Sequence, residues 1–437
     1  MIVAPELDTI TQNLYQGYTY SYPHKSTYRN FEKISLEEVW EQENRKRLFF
    51  YTHIPFCEMR CGFCNLFTIA NPKEGVKAYI DALRREMETY KELFDDAIFT
   101  NFAIGGGTPT FLEPDELELL LRYIKNMGVD MHMYYGSIEA SPKTLTKEKI
   151  KLIEEYGITR LSMGVQSWIE DETKALGRPQ SIRQTTAKVT QLALSAIPEF
   201  NLDLIYGAEN QTKDSFLYSI EKTVEFQPTE IFLYPLYVRQ LTGLGKRNIE
   251  KNDHRQELYL IGRDALLNSG YEQTSMRCFR KKNTSISTIT DQYDSVLDGM
   301  IGIGAGARSY TQQLHYSTDY AVDRKVIKNI ISNYTNTNDF KTISYGIRLS
   351  KWEQKTRFVI KSITDGGCLS PDKYQHRFGA NVFEEFELLN ILQEKEWLIQ
   401  EGDIYKLSQQ GMCYEDAIGP VLYTDNVKSL MEEYTWK

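Results

Sequence analysis

Leu48-Phe49-Phe50-Tyr51-Thr52-His53-Ile54-Pro55-Phe56-Cys57-Glu58-Met59-Arg60-Cys61-Gly62-Phe63-Cys64 is the stretch on which the reading of the fold turns. Its first seven residues have the apolar, aromatic composition of a buried strand, and Pro55 closes the run. Three cysteines then fall within eight positions on the loop that leaves the strand. Working outward, Val76, Tyr79, Ile80, Leu83, Met87 and Tyr90 recur at the spacing of one helical face. A second strand is expected over 97–104, ending in Gly105-Gly106-Gly107, and a second helix over 114–127. Strands near 134–139, 158–165, 201–205 and 230–237 alternate with helices near 144–156, between 171 and 195, and near 214–226. Six such βα steps predict an α/β fold, a parallel sheet with helices outside it. Periodicity alone leaves an open doubly wound sheet and a partial barrel as alternatives. In both, ligands gather where the C-terminal strand ends meet their loops. The cysteine loop, the glycine loop and Glu139 all fall at such ends.

Around this core (47–240) the expected organisation has three further parts. Residues 1–46 are an aromatic, tyrosine-rich segment with a short helix near 36–45, read as a lid over the barrel. Residues 241–346 are a barrel extension on the substrate side, with a helix over 254–267, a strand over 271–275 and Gly299-Met300-Ile301-Gly302-Ile303-Gly304-Ala305-Gly306-Ala307. That glycine run lacks a βαβ context with a downstream acid, so it reads as close backbone packing or a rim of the site. Residues 347–437 read as a helical module whose amphipathic 383–392 and hairpin over 397–407 give it a winged-helix look.

Bulk properties narrow the function. Of 437 residues, 41% are hydrophobic and 25% charged, and the net charge is −9. That balance argues against nucleic-acid binding through a broad basic face. No run of roughly 18 apolar residues predicts a membrane span, and the first residues lack a secretory pattern, so the expected location is cytoplasmic. Six cysteines in such a chain make no disulfide framework. Cys278, Cys368 and Cys413 are expected to be small buried hydrophobes.

The close trio has chemistry of its own. Cys57-x-x-x-Cys61-x-x-Cys64 places three soft thiolates on one short loop, suited to an iron–sulfur cluster. Three ligands for four irons leave one iron open to a substrate-derived ligand, which points to catalysis. The competing reading is a Cys₃His zinc site completed by His53, although a residue inside a strand fits a zinc knuckle poorly. Glycines after the second strand permit positive φ and close approach of backbone to a ligand, with carbonyls placed to accept from an ammonium. Glu139, Gln166, Arg178 and Asp203 end successive elements. Singly each is more simply structural; together they suit ribose hydroxyls, a carboxylate and a sulfonium. His24 and Lys25 on the lid are placed to meet a substrate carboxylate or phosphate.

The runs 51–57 with Cys61-Gly62-Phe63-Cys64, Gly105-Gly106-Gly107-Thr108-Pro109-Thr110, Ile138-Glu139-Ala140, Gly164-Val165-Gln166-Ser167 and Asp203-Leu204-Ile205-Tyr206-Gly207 resemble one branch of the radical S-adenosylmethionine (SAM) superfamily. It holds the oxygen-independent coproporphyrinogen III oxidases, the related haem chaperones and the class C radical SAM methyltransferases. The resemblance spans 48–240 and extends through 302–310 into the C-terminal module. It implies a partial (β/α)₆ TIM-like barrel with a C-terminal helical, winged-helix-like domain. It also implies a [4Fe–4S] cluster on Cys57, Cys61 and Cys64, and one SAM, or two. Tyr51, Gly106 and Glu139 match positions that contact the first SAM. Phe63, Gly107, Thr108, Gln166, Arg178 and Asp203 match positions around a second SAM or the substrate. The implied activity is reductive SAM cleavage to a 5′-deoxyadenosyl radical that abstracts hydrogen from a small molecule, porphyrin-type compounds included. Two-SAM methyl transfer and haem or metal-centre chaperoning are the alternatives. The implied partners are that small molecule and an electron donor such as flavodoxin or ferredoxin, with neither nucleic acid nor membrane. Two features depart from the pattern. The haem chaperones' His-Asn-x-x-Tyr-Trp motif is absent from the corresponding 280–286, and Tyr22-Pro23-His24-Lys25 is similar to the oxidases' tyrosine-proline segment without repeating it.

Overall fold

The computed structural model describes residues 7–19, 21–72, 74–239, 241–247, 253–282 and 293–436. Its main sheet has thirteen strands. In chain order they are β1 (Arg29–Ser35), β2 (Leu48–Ile54), β3 (Phe99–Gly106), β4 (Tyr135–Ala140), β5 (Arg160–Gln166), β6 (Glu199–Tyr206) and β7 (Glu230–Pro235). They continue as β8 (Tyr271–Gln273), β9 (Cys278–Lys281), β10 (Gly299–Ile303), β11 (Arg308–Tyr310), β12 (Leu314–Ser317) and β13 (Thr342–Arg348). Across the sheet the order is β1-β13-β12-β11-β10-β2-β3-β4-β5-β6-β7-β9-β8. From β10 through β2 to β7 every pairing is parallel, and both flanks are antiparallel.

Helices α1 (Val76–Leu93), α2 (Pro114–Asn126), α3 (Lys147–Glu155), α4 (Ile182–Ala193), α5 (Lys213–Glu225) and α6 (Arg255–Asn268) follow β2 to β7 in turn. Side-chain hydroxyls at Thr146, Ser181 and Thr212 cap three of them. The expected face of α1 is the buried one, with Tyr79, Ile80, Leu83, Met87 and Tyr90 packed against outward-facing Phe50, Phe102 and Ile104 in one apolar core. The chain therefore has the α/β architecture expected, a central parallel sheet covered by helices. Two features go beyond it. The glycine run contributes a seventh parallel strand, β10, which pairs Gly302 with Tyr51 on the far side of β2. Within the segment read as a lid, Arg29–Ser35 is a strand that pairs antiparallel with β13.

The C-terminal tract builds a second apolar core from residues between Phe358 and Val427, which also takes in Ile10 and Tyr22. Its hairpin, β14 (Leu398–Glu401) and β15 (Ile404–Leu407), falls within the hairpin expected over 397–407. The helix expected over 383–392 is broken at Phe386 (φ −124°) into Val382–Glu385 and Glu387–Glu394. Cys278 and Cys413 are buried as expected, whereas Cys368 is exposed.

Candidate active site at the strand ends

The cysteine loop is clamped at its base and its middle. Phe56–Cys57 pairs with Ile69–Ala70, and the N–H groups of Ile69 and Asn71 donate to the carbonyls of Pro55 and Cys57, both at 2.7 Å. Halfway along, Gly62 N–H donates to the Leu176 carbonyl (3.0 Å) and its own carbonyl accepts from Leu244 N–H (2.8 Å). Cys57 is buried; Cys61 and Cys64 are half-buried. The Thr108 hydroxyl donates to Cys57 Sγ and Arg178 Nη1 to Cys61 Sγ, each at 3.6 Å, while Thr68 Oγ1 lies 3.9 Å from Cys64 Sγ. Burial pushes the Cys57 thiol up to about 12, against the pull of Thr108 and Arg178, and raises Cys61 as well. Thiols held in this way give up their protons to a strongly bound soft metal. A Cβ on Gly107 would stand 2.6 Å from the Phe56 carbonyl and 2.8 Å from Cys57 Sγ, so only bare backbone fits beside that sulfur. Three soft donors, two hydrogen-bond donors onto sulfur and an open backbone edge fit a [4Fe–4S] cluster. Among the described residues no three His, Cys, Asp or Glu side chains converge on one ion-sized point; cluster thiolates need not, because each binds its own iron.

His53 does not complete a zinc site. Its Nε2 lies 3.0 Å from the Phe67 carbonyl, which can only accept, so Nε2 carries the proton and Nδ1 accepts from the Tyr51 hydroxyl at 3.0 Å. Both nitrogens are engaged, and burial holds the ring down at about 3 and neutral. The ring also lies under Gly106 (φ +117°), where a Cβ would meet it at 2.7 Å. Gly106 N–H in turn donates to Glu139 Oε2 (3.0 Å). Burial pushes the Glu139 carboxyl up to about 7, opposed by Gly106 and Arg160 and reinforced by Asp203. The side chain is nonetheless exposed to the cavity while lying deep in the molecular envelope.

The remaining candidates adjoin. Against β6, strand β5 carries one extra residue between Gly164 and Gln166, and this bulge leaves Gln166 at φ +70°, a left-handed conformation costly for a residue with a side chain. A Cβ on Gly164 would run into the Gln166 amide at 2.5 Å and Arg178 Nη2 at 3.3 Å; Arg178 Nη2 donates to the Gly164 carbonyl (2.9 Å). Asp203 accepts from Asn201 Nδ2 (2.6 Å) and Ser162 Oγ (3.3 Å), and burial raises it. Phe63 packs against the cluster of Leu176, Ile205 and Ala208. All nine non-cysteine candidates thus share one basin with the three cysteines.

Ser162 and Asn201, which orient Asp203, were not anticipated; nor was Arg160, 2.7 Å from Glu230 at the foot of the same strands. Asn201 stands two positions before Asp203 on an apolar strand, a signal that was available; Ser162 and Arg160 lie four and six positions before Gln166. Arg277 is fully buried, ion-paired with Asp416 and set 3.8 Å from the Tyr18 ring. Tyr15 and Tyr18 lie edge-on to Tyr206 and Tyr234 at the ends of β6 and β7, which places the N-terminal segment over the strand ends. Of the stretch aligned with the haem motif, 283–286 lies outside the described residues.

Residues 51–223 match the Radical SAM superfamily. The chain is 28% identical over 376 residues to the heme chaperone HemW of Lactococcus lactis, covering 78% of this chain and 97% of that one. It is 28% identical over 330 residues to an oxygen-independent coproporphyrinogen III oxidase of Helicobacter pylori, covering 68% and 72%. The fold matches coproporphyrinogen III oxidase (HemN) from Escherichia coli with a TM-score of 0.79 at 20% identity, over 97% of this chain and all of that one. No helix among the described residues is long and apolar enough to cross a membrane.

Proposed function

This chain belongs to the radical SAM superfamily, in its coproporphyrinogen-oxidase-like branch, and from that premise we propose an enzyme that abstracts hydrogen from a small-molecule substrate at the mouth of the sheet. Superfamily membership implies a [4Fe–4S] cluster and SAM, with a small-molecule substrate and a reductant. The observation that carries the reading is the clamped loop, whose thiols receive hydrogen bonds from Thr108 and Arg178 beside the bare backbone of Gly107. Cys57, Cys61 and Cys64 would hold the cluster, which when bound supplies the electron that splits SAM into methionine and a 5′-deoxyadenosyl radical.

The chain's own residues bind, orient and exclude water. Glu139, fixed by Gly106 N–H, accepts from the ammonium or hydroxyls of the first SAM, with Tyr51 and Gly106 completing that contact. Arg178 faces a ligand carboxylate, and Asp203, held by Asn201 and Ser162, faces hydroxyls. Phe63, Gly107, Thr108 and Gln166 line the space for the substrate or a second SAM. Residues 1–46 form the lid, whose tyrosines shield a reactive radical from water; 47–240 are the catalytic core, 241–346 its substrate-side extension and 347–437 the closing module. We assign the chain to the cytoplasm, with a flavodoxin- or ferredoxin-type donor.

The decisive experiment gives the anaerobically reconstituted protein SAM and dithionite and quantifies products by mass spectrometry. 5′-Deoxyadenosine alone supports hydrogen abstraction; S-adenosylhomocysteine beside it transfers the assignment to a two-SAM methyltransferase; neither product refutes the initiator as proposed. Chaperoning is the second reading, favoured by the similarity to heme chaperones. Stoichiometric, tight haem uptake without SAM cleavage would establish it.

A further inference from the structure

The cysteine loop carries cations that the radical chemistry does not use, and three of them, from three separate segments, meet beside it. Arg60 lies between Cys57 and Cys61, half-buried, and its Nη2 donates to the Val322 carbonyl at 2.8 Å. Arg324 opens the helix Arg324–Asn336 and donates from Nη2 to the Ala70 carbonyl at 3.3 Å; Ala70 in turn pairs with Cys57. Lys246 stands two residues beyond Leu244, whose N–H holds the Gly62 carbonyl at 2.8 Å. Arg324 and Lys246 are exposed. Both arginines hold neutral carbonyls, which position a guanidinium without cancelling its charge.

Asp323 ties the three into one patch. It caps the same helix, accepting from Lys325 N–H (2.8 Å) and Val326 N–H (3.2 Å). Those two bonds hold its carboxyl below the ordinary range first, and the charges of Arg60 and Lys246 add to them. Residues 322 to 324 therefore bring Arg60, Lys246 and Arg324 together. The loop's own acid, Glu58, is taken by Lys143 at 3.4 Å. A chain of net charge −9 thus sets four cations against two carboxylates around its three cysteines. Leu66, on the same loop, is 49% exposed and offers an apolar contact.

We propose that Arg60, Lys246 and Arg324 form the docking surface for the electron donor, a small acidic carrier protein of the flavodoxin type. The inference rests on the radical reading and deepens it by naming where the electron enters. Opposite charge steers such a carrier to the loop and raises its association rate. The contact stays small and weak, as repeated delivery of single electrons requires. One electron moves: the anionic flavin hydroquinone is oxidised to the neutral semiquinone and the cluster is reduced, with no proton transferred. A carrier seated on this patch is separated from the sulfurs only by the loop that holds them.

The test is stopped-flow oxidation of flavodoxin hydroquinone by the anaerobically reconstituted full-length protein, at low and at high sodium chloride. In wild type the second-order rate should fall by about tenfold or more with salt, because added ions screen the attraction. Lys246→Glu/Arg324→Glu, which changes exposed side chains alone, should slow the low-salt rate by about tenfold or more and flatten its salt dependence. Binding of oxidised flavodoxin, followed without reductant by calorimetry, should weaken alongside. Reduced methyl viologen, a small cation, should reduce the double variant at least as fast as wild type, with iron content unchanged. A salt-independent rate in wild type overturns the assignment. So does a double variant that keeps wild-type rate and affinity for flavodoxin, or one that viologen reduces as slowly as flavodoxin does. If viologen reduces the wild-type protein and flavodoxin does not, the docking surface fails while the radical reading stands. If neither does, the radical reading itself fails.

Discussion

Leu48, Phe50 and Ile54 of β2 turn outward into the helix-covered core and are fully buried, whereas Phe49, Tyr51 and His53 on the same strand turn inward toward the cysteine basin. The outward side chains are held by apolar contact, as Phe50 is by Phe99 at a ring distance of 5.2 Å, and any group of like volume meets the same need. The inward ones are held by named partners: Tyr51 to His53, His53 to Phe67, Gly106 over the imidazole. Stability is concentrated on one face and chemistry on the other, one residue apart.

The largest effect expected of that division falls on the cysteines. Cys57→Ala, Cys61→Ala or Cys64→Ala should abolish 5′-deoxyadenosine formation and bound iron while leaving the far-ultraviolet circular dichroism spectrum intact. Retained SAM cleavage in any of the three would remove the cluster assignment. Phe50→Ala should do the reverse: about 3–5 kcal/mol of lost stability in chemical denaturation, with unchanged iron content per folded molecule. If iron loading falls with stability, the two faces are not separable.

Glu86 is the exception that sharpens the contrast, a carboxyl on the helix side of the sheet. It accepts from Tyr334 O–H (2.5 Å) and Gly304 N–H (2.8 Å), yet burial pushes it up to about 7. The folded state therefore keeps the proton that the unfolded chain releases near pH 4.5. Stability from this group is complete below that pH and is lost as pH rises to about 7. Glu86→Gln, whose amide oxygen can accept both bonds, should match wild type at pH 4 and exceed it at pH 8 by at most about 3 kcal/mol. Parallel stability–pH curves for the two proteins would refute the buried proton.

Much of this was legible because its signal is local. Strands β2 to β7 declare themselves within a few residues by alternation or apolar runs; their ends place Glu139 and Gln166, and Asp203 shows as a carboxylate inside the apolar run of Glu199–Tyr206. What was not legible depends on distant pairing. Arg29–Ser35 is a strand only because Thr342–Arg348 lies beside it, and Gly299–Ile303 has too little side chain to announce that it extends β2.

The smallest effect tests whether the inward face yields stability to hold its ligand. Gln166 sits at φ +70°, where a Cβ costs about 1 kcal/mol that glycine would not incur. Gln166→Gly should relieve that strain, but the unfolded chain also gains freedom, so the net change in stability should be within about 1 kcal/mol of zero. Binding should move the other way. Loss of the amide that lies against Gly164 and Arg178 should weaken SAM by up to about tenfold, the worth of one good hydrogen bond. A variant less stable by several kcal/mol with SAM affinity unchanged would make Gln166 an ordinary packing residue, and the bulge an accident of the strand rather than a device for aiming its side chain.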